Sequence, residues 1–344
     1  MEPVPTKTLA RKLGLHILSP KALTIRRKRA GEGWEYYNSR NRGLSDQRVI
    51  ARLKGLAVPP AYEDVLYASD PKAHLQAVGR DSAGRLQYRY HPDWEKVREI
   101  RKAQRLMNLI ECLPRIRRAI SSVLNEGVPN REFALAVVIE LVATTAIRAG
   151  NEEYAQEHKT RGATTLLKSN VRCEGDRVTL RFRAKGGKQV HKEFRHARLC
   201  QMIGCLAKLP GRRLFQFQDV AGDIRAITSH DVNAYLREIA GCETTLKDFR
   251  TLCATAEVLE SLASVEPAAT VTGRKRQITQ ALSEAAQSLE NTPAVCRKSY
   301  VHPAVLTAFE TGTLKSFSNA LKSARSSACS HNAVAEVIVA AAAM

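Results

Sequence analysis

The sequence predicts an α+β protein in two parts. A small β-rich N-terminal domain occupies residues 1–91, and a larger, mainly helical domain with one β-hairpin occupies 92–344. Three observations carry this reading. At 344 residues the chain is long enough for two domains, at least one with a sizeable core. Between residues 31 and 91, short segments mixing aromatic and β-branched residues alternate with Gly, Pro and Asp pairs. From residue 93 onward the apolar residues recur at helical spacing, with one interruption.

In order along the chain, WEYYN, DVLYA and RLQYRYH read as strands, and SDQRVIARLKGL between them as a short helix opened by a Ser/Asp cap. GRDSAGRLQYRYHPDW reads as a turn followed by a strand with Leu86, Tyr88 and Tyr90 on one face. The stretch 93–127 has helical periodicity and is expected to break at Pro114. REFALAVVIELVATTAIRAG reads as a strongly apolar helix ending at Gly150. RVTLRFRAKGGKQVHKEF is the interruption: two alternating strands joined by a Gly-Gly turn. Helices are expected over 195–208, 229–240, 245–264, 273–289, 292–300 and 302–322. SARSSACSHN (323–332) reads as a linker, and the apolar tail AVAEVIVAAAAM as a packed helix too short to span a bilayer.

Apolar and charged fractions are those of an ordinary soluble domain, but the net charge of +20 and pI near 9.9 are not. The excess is spread along the chain instead of gathered in a tail, which fits a polyanion held along a long surface; nucleic acid is the leading candidate. The eight cysteines form no CxxC pair and have no accompanying His cluster, so no metal site is expected. Reduced thiols and the absence of an apolar core in residues 1–30 argue for a cytoplasmic protein without a conventional signal peptide.

LENTPAVCRKSYVHP (289–303) places a thiol, a phenol and an imidazole within seven residues. Breaking a DNA phosphodiester without a metal requires a nucleophile, fixed cations against the non-bridging oxygens and an acid for the leaving oxygen. Neither a Gly-rich nucleotide loop nor a paired-carboxylate metal motif stands out, so Arg and Lys would have to supply the charge.

TTAIRAGNEEYA, RFRAKGGK, LKDFRT and NTPAVCRKSYVHP occur in that order, and with ARLKGLAVPPAYEDV and GRDSAGRLQYRYHPDW they resemble the type IB DNA topoisomerases of the bacterial, poxvirus-like branch. The resemblance covers roughly residues 25–315. It implies a catalytic fold related to that of tyrosine recombinases, and a C-shaped clamp that closes on duplex DNA. One strand would be nicked through a 3′-phosphotyrosyl bond, supercoils released by rotation, and the nick resealed, by a monomer without ATP, metal or other cofactor, at the bacterial nucleoid. It further implies Tyr300 as nucleophile, Arg148 and Arg250 as clamps on the scissile phosphate, Lys185 as general acid, and Asn291 where poxviral and eukaryotic enzymes carry His. Gln87, Tyr88, Tyr90 and Tyr154 match positions near DNA in the family, and Arg80 and Arg85, which flank the first three, are taken as DNA-binding with them.

Each role has a plainer rival. Arg148 could cap its own helix, Arg250 could pair with Asp248, Tyr300 could be a half-buried helix tyrosine, and Tyr88 and Tyr90 could be core. Lys188 shares the hairpin turn with Lys185, so the hairpin does not single out one lysine; the family pattern favours Lys185. Cys296 is expected to pack behind the site and His302 to help end its helix. A tyrosine site-specific recombinase and a non-catalytic basic DNA-binding protein are the competing functions. Against the family pattern, Glu290 stands where Gly is common, Lys72-Ala73 replaces Asn-Gly, Arg161 replaces an aromatic residue, and Leu86 a basic one.

Overall fold

The computed structural model describes residues 4–314 and 334, and its chain divides into two compact units, residues 1–104 and 105–344. It is mixed α/β, with a β-rich N-terminal unit and a helical core beyond it. The division falls inside a helix instead of ahead of it at 91/92, because the first turns of that helix pack Trp94 and Val97 against Leu9, Ala10 and Leu15.

The N-terminal unit contains α1 (Thr6–Lys12), β1 (Ile25–Ala30), β2 (Gly33–Tyr37), α2 (Gln47–Gly55), β3 (Glu63–Tyr67), β4 (Leu75–Arg80) and β5 (Leu86–Tyr90). The strands form one antiparallel sheet in the order β2-β1-β3-β4-β5. The three segments read as strands are strands, and α2 opens on Asp46, whose carboxylate accepts from the Arg48 and Val49 amides. Two strands carry no clear sequence signal. β1 is the basic run IRRKRA: Arg27 stacks its guanidinium 3.9 Å from the Trp34 ring and donates to the carbonyls of Val58, Pro59 and Tyr62. β4 is buried although it contains Gln76, because the amide donates to Ala73 O and accepts from Arg52.

Helix α3 (Trp94–Glu126) runs through Pro114 without ending, which corrects the expected break. A proline forfeits one intrahelical bond, but Leu113 and Ile116 beside it are both buried, and that packing holds the helix together. In the second unit, α4 (Arg131–Thr145) has every residue from Phe133 to Ile139 buried, the mark of a helix enclosed on all sides. It ends at Ala146, in the left-handed conformation (φ 52°), and not at Gly150. Arg148 therefore lies beyond the helix, in the loop that follows it.

After α5 (Glu152–Glu157) comes a three-stranded antiparallel sheet of β6 (Val171–Glu174), β7 (Arg177–Arg183) and β8 (Gln189–Arg195). The expected hairpin is β7–β8, in register from Arg177↔Arg195 to Arg183↔Gln189, and β6 adds a strand to it. Then follow α6 (Ala197–Ala207), a small hairpin of β9 (Gln216–Gln218) and β10 (Ile224–Ala226), α7 (Ser229–Ala240), α8 (Leu246–Ala263), α9 (Val271–Ser288), α10 (Pro293–Ser299) and α11 (Pro303–Glu310). The expected helix over 302–322 thus ends at Glu310 in its described part. Residues 311–314 form a turn instead of continuing the helix, and the linker 323–332, residues 315–322 and the tail beyond Val334 lie outside the described residues; Val334 itself is buried in the core of this unit.

Candidate active site

Four of the five expected catalytic residues converge in the second unit. Tyr300 is held at the C-terminal end of α10 with a non-helical backbone (φ −125°), so it is not a residue of the helix face. Thr255 on α8 fixes its main chain, donating from Oγ1 to Tyr300 O at 3.1 Å and accepting from the His302 amide at 3.2 Å. His302 starts α11 instead of ending α10, accepting from the Ala304 amide. Cys296, one turn earlier, is fully buried, as packing behind the site requires.

Arg250 lies one turn N-terminal to Thr255 on α8 and is 3% exposed. Its guanidinium carbon is 5.0 Å from the Tyr300 ring centroid. It does not pair with Asp248, which instead binds Arg105 at 2.6 Å. Arg250 donates to the carbonyls of Ala146 and Leu289, the last residues before two chain reversals. The left-handed Ala146 ends α4 there, and at the other reversal Glu290 (φ 55°) follows α9. At the latter the Asn291 amide donates back to Ala286 O, closing the helix in a Schellman-type motif whose left-handed position favours glycine. Glu290 accepts the strain of the left-handed region there.

Closing α9 this way brings Asn291 to Arg148. The Arg148 Nη2 donates to Asn291 Oδ1 at 2.6 Å and to Glu290 O at 3.1 Å, so Arg148 bridges to another segment and does not cap α4. Its own main chain is held by close backbone approach. A Cβ at Gly162 would lie 2.5 Å from the Gly150 nitrogen and 2.6 Å from the Arg148 carbonyl oxygen, which accepts from the Ala163 amide. Gly162→Ala must therefore push the Arg148 strand away. We expect single-turnover DNA cleavage to fall by about 10²-fold, the order of loss that an ångström of misplacement causes. Wild-type cleavage by the folded variant would contradict this placement.

Two buried donors in this group, Nε of Arg250 and Nδ2 of Asn291, have neither solvent exposure nor a hydrogen-bond partner. Buried donors are rarely left unpaired, and at a cleft bounded by two guanidinium groups they suit an oxyanion. Burial alone would raise the Tyr300 pKa, but the charge and hydrogen bond of Arg250, with the charges of Lys247 and Arg148, outweigh it and hold the phenol below its ordinary value of 10.0. Burial is the largest cause depressing the Arg250 pKa, followed in that direction by the charge of Arg148.

Lys185, the fifth candidate, is exposed on the β7–β8 tip with its ammonium 5.9 Å from the ring centroid of Tyr154. Lys188 is exposed as well, at the other end of the tip. Sequence reasoning missed Lys247, whose ammonium is 5.9 Å from the Tyr300 ring. The available signal was its place on the same helix face as Arg250, three residues before it. It also missed Lys192 on β8, which donates to Ser288 O at 2.6 Å and ties the hairpin to the loop carrying Asn291.

In the N-terminal unit, Leu86, Tyr88 and Tyr90 project together from the edge strand β5 and are all exposed, so the tyrosines are not core. Tyr88 stacks on Tyr90 (6.2 Å) and Tyr90 on Trp94 (6.2 Å). Gln87 and Arg85 are both bound to Asp81, at 2.9 Å each, and Arg80 donates to Gly84 O at 2.8 Å. Asp81 thereby fixes the turn that precedes the aromatic strand.

The family model of the eukaryotic DNA topoisomerase I catalytic core matches residues 91–328, and that of the bacterial DNA topoisomerase IB N-terminal domain matches residues 33–81. The chain belongs to the type IB DNA topoisomerase family. It is 33% identical over 284 residues to the DNA topoisomerase 1B of Acanthamoeba polyphaga mimivirus, which covers 80% of this chain and 84% of that one. It is 22% identical over 271 residues to the DNA topoisomerase I of Monkeypox virus and to the DNA topoisomerase 1B of Vaccinia virus (strain Copenhagen), in each case 76% of this chain and 82% of the other. No helix among the described residues is long and apolar enough to cross a membrane.

Proposed function

We propose that the chain relaxes supercoiled duplex DNA by transient cleavage of one strand. The observation that carries this reading is the approach of Arg250 to within 5.0 Å of the Tyr300 ring, beside the Arg148–Asn291 pair and its unsatisfied buried donors. Tyr300 Oη attacks the scissile phosphorus. The P–O5′ bond breaks as the P–Oη bond forms, and the 3′ end stays on the enzyme as a phosphotyrosyl ester. Arg148 and Arg250 meet the non-bridging oxygens, where fixed guanidinium groups act on charge that grows in the transition state. Lys185 protonates the departing 5′ oxygen, which requires the hairpin tip to bring its ammonium from Tyr154 to the cleaved bond. The reverse attack by the 5′ hydroxyl reseals the strand after rotation. The ester conserves the energy of the original bond, so no nucleotide is consumed, and arginine and lysine supply the charge that a metal would otherwise bring. One tyrosine cuts one strand, so a monomer suffices. Tyr88, Tyr90 and Tyr154 present exposed rings to the duplex, and Gln87, Arg80 and Arg85 meet its grooves and backbone.

Relaxation of supercoiled plasmid in EDTA without ATP tests the class of enzyme directly. Unchanged supercoiling with folded protein would refute it, and strand exchange between defined sites would point instead to a recombinase, whose catalytic fold we take to be related.

Asn291 carries no positive charge, so its amide stabilises the transition state less than an arginine does. Asn291→Ala should slow single-turnover cleavage less than Arg148→Ala or Arg250→Ala. The assignment is wrong if the Asn291 variant proves the slowest of the three.

A further inference from the structure

We infer that Arg161, Arg212 and Arg213 form a second phosphate site, which takes a non-scissile phosphate of the DNA backbone beside the cleaved one. The inference rests on the DNA-cleaving reading of the neighbouring site. An open hollow of about 750 Å³ is lined by these three arginines and Lys159, against a single carboxylate, Glu152. Glu152 is engaged by Arg213, whose Nη2 reaches both of its oxygens, while Arg213 Nη1 reaches Thr164 O at 3.5 Å. Among the described residues, neither Arg161 nor Arg212 has a carboxylate within ion-pairing distance. Burial first, then the charges of Arg213 and Arg212, depress the Arg161 pKa, so the group is assembled against its own repulsion. Convergent guanidinium groups short of carboxylates suit a phosphate, which they bind bidentately.

The position of Arg161 favours backbone DNA over a free anion. Arg161 also lines the small cleft bounded by Arg148 and Arg250, so the two anion sites share it as a wall. Its amide donates to Arg183 O at 2.7 Å, on the strand that leads into Lys185, and the next residue is the Gly162 that abuts Arg148. Because Arg161 borders both hollows, a strand whose scissile phosphate sits on Arg148 and Arg250 would pass Arg161 with an adjacent phosphate.

The test measures duplex affinity against salt concentration in a Tyr300→Phe background, where binding is not obscured by covalent chemistry. Arg161→Tyr and Arg212→Gln should each weaken binding and flatten the slope of log K against log[salt] by about 0.9, the value for one lost phosphate contact. Arg172→Gln, removing an exposed arginine already paired with Glu174, should leave the slope unaltered. Unchanged slopes in the first two variants, or equal flattening in all three, would overturn the site. So would calorimetric binding of inorganic phosphate that both variants abolish while their DNA slopes stay at the parent value; that result would mark a free-anion site. Failure of the wild-type chain to form a covalent adduct would sink the catalytic reading, whereas a normal adduct with unaltered slopes sinks this inference alone.

Discussion

Replacing Tyr300 with Phe abolishes both the denaturation-resistant protein–DNA adduct and plasmid relaxation, and leaves the fold standing. The substitution removes only Oη. The ring stays packed at the edge of the core and its main chain stays bound to Thr255, so we expect a stability change within about 1 kcal/mol. Cys296→Ala, by contrast, should retain the adduct, because its thiol is buried and thiolates attack phosphorus poorly. An adduct that survives Tyr300→Phe and disappears with Cys296→Ala would reverse the assignment. The pH dependence supplies a second check. The phenol is held below 10.0 by Arg250, Lys247 and Arg148 against the opposing effect of burial. In the proposed mechanism its anion is the nucleophile, so single-turnover cleavage should rise with pH and level off at a midpoint below 10.0. Removing the Lys247 charge by Lys247→Gln should move that midpoint upward. A midpoint unaffected by Lys247 would mean that the step observed is not phenol ionisation.

Local patterns made much of this molecule legible. The β7–β8 hairpin, α2 with its Asp46 cap, and helices α6 to α10 follow from alternation, turn residues and helical spacing. Failures occurred where a distant partner overrides local preference. IRRKRA carries no strand pattern, yet it is the strand β1, because Trp34 and three carbonyls receive Arg27. Pro114 reads as a break, yet the burial of Leu113 and Ile116 carries α3 across it. At the site, motif order singled out Tyr300, Arg148, Arg250 and Asn291, which the fold brings together, but local reading put Arg148 at the end of a helix and offered Asp248 as a rival partner for Arg250. The actual partners, Asn291 for Arg148 and the 146 and 289 carbonyls for Arg250, are roughly 40 to over 140 residues away along the chain. Only the folded chain brings the two reversals to one point.

On the proposed reading Arg250 has two functions, and its substitutions should separate them. Arg250→Ala leaves the Ala146 and Leu289 carbonyls without their donor, at a cost of about 1–3 kcal/mol for each buried group left unsatisfied. It also removes the charge beside Tyr300. Both stability in urea and cleavage should fall, and a drop in cleavage alone would not reveal its cause. Arg250→Lys distinguishes the two. An ammonium keeps the charge at the phenol, but it cannot present a planar fork to two carbonyls and a phosphate oxygen together. We expect it to recover part of the stability while single-turnover cleavage stays about 10²–10³-fold below wild type, the loss typical of removing one oriented donor from a developing oxyanion. Cleavage restored to near the wild-type rate by lysine would mean that charge alone suffices, and the unpaired Nε of Arg250 would then have no part in holding the phosphate. Stability fully restored with cleavage still lost would place the whole catalytic effect in guanidinium geometry, where the two reversals that position Arg250 act as a preformed frame for the scissile phosphate.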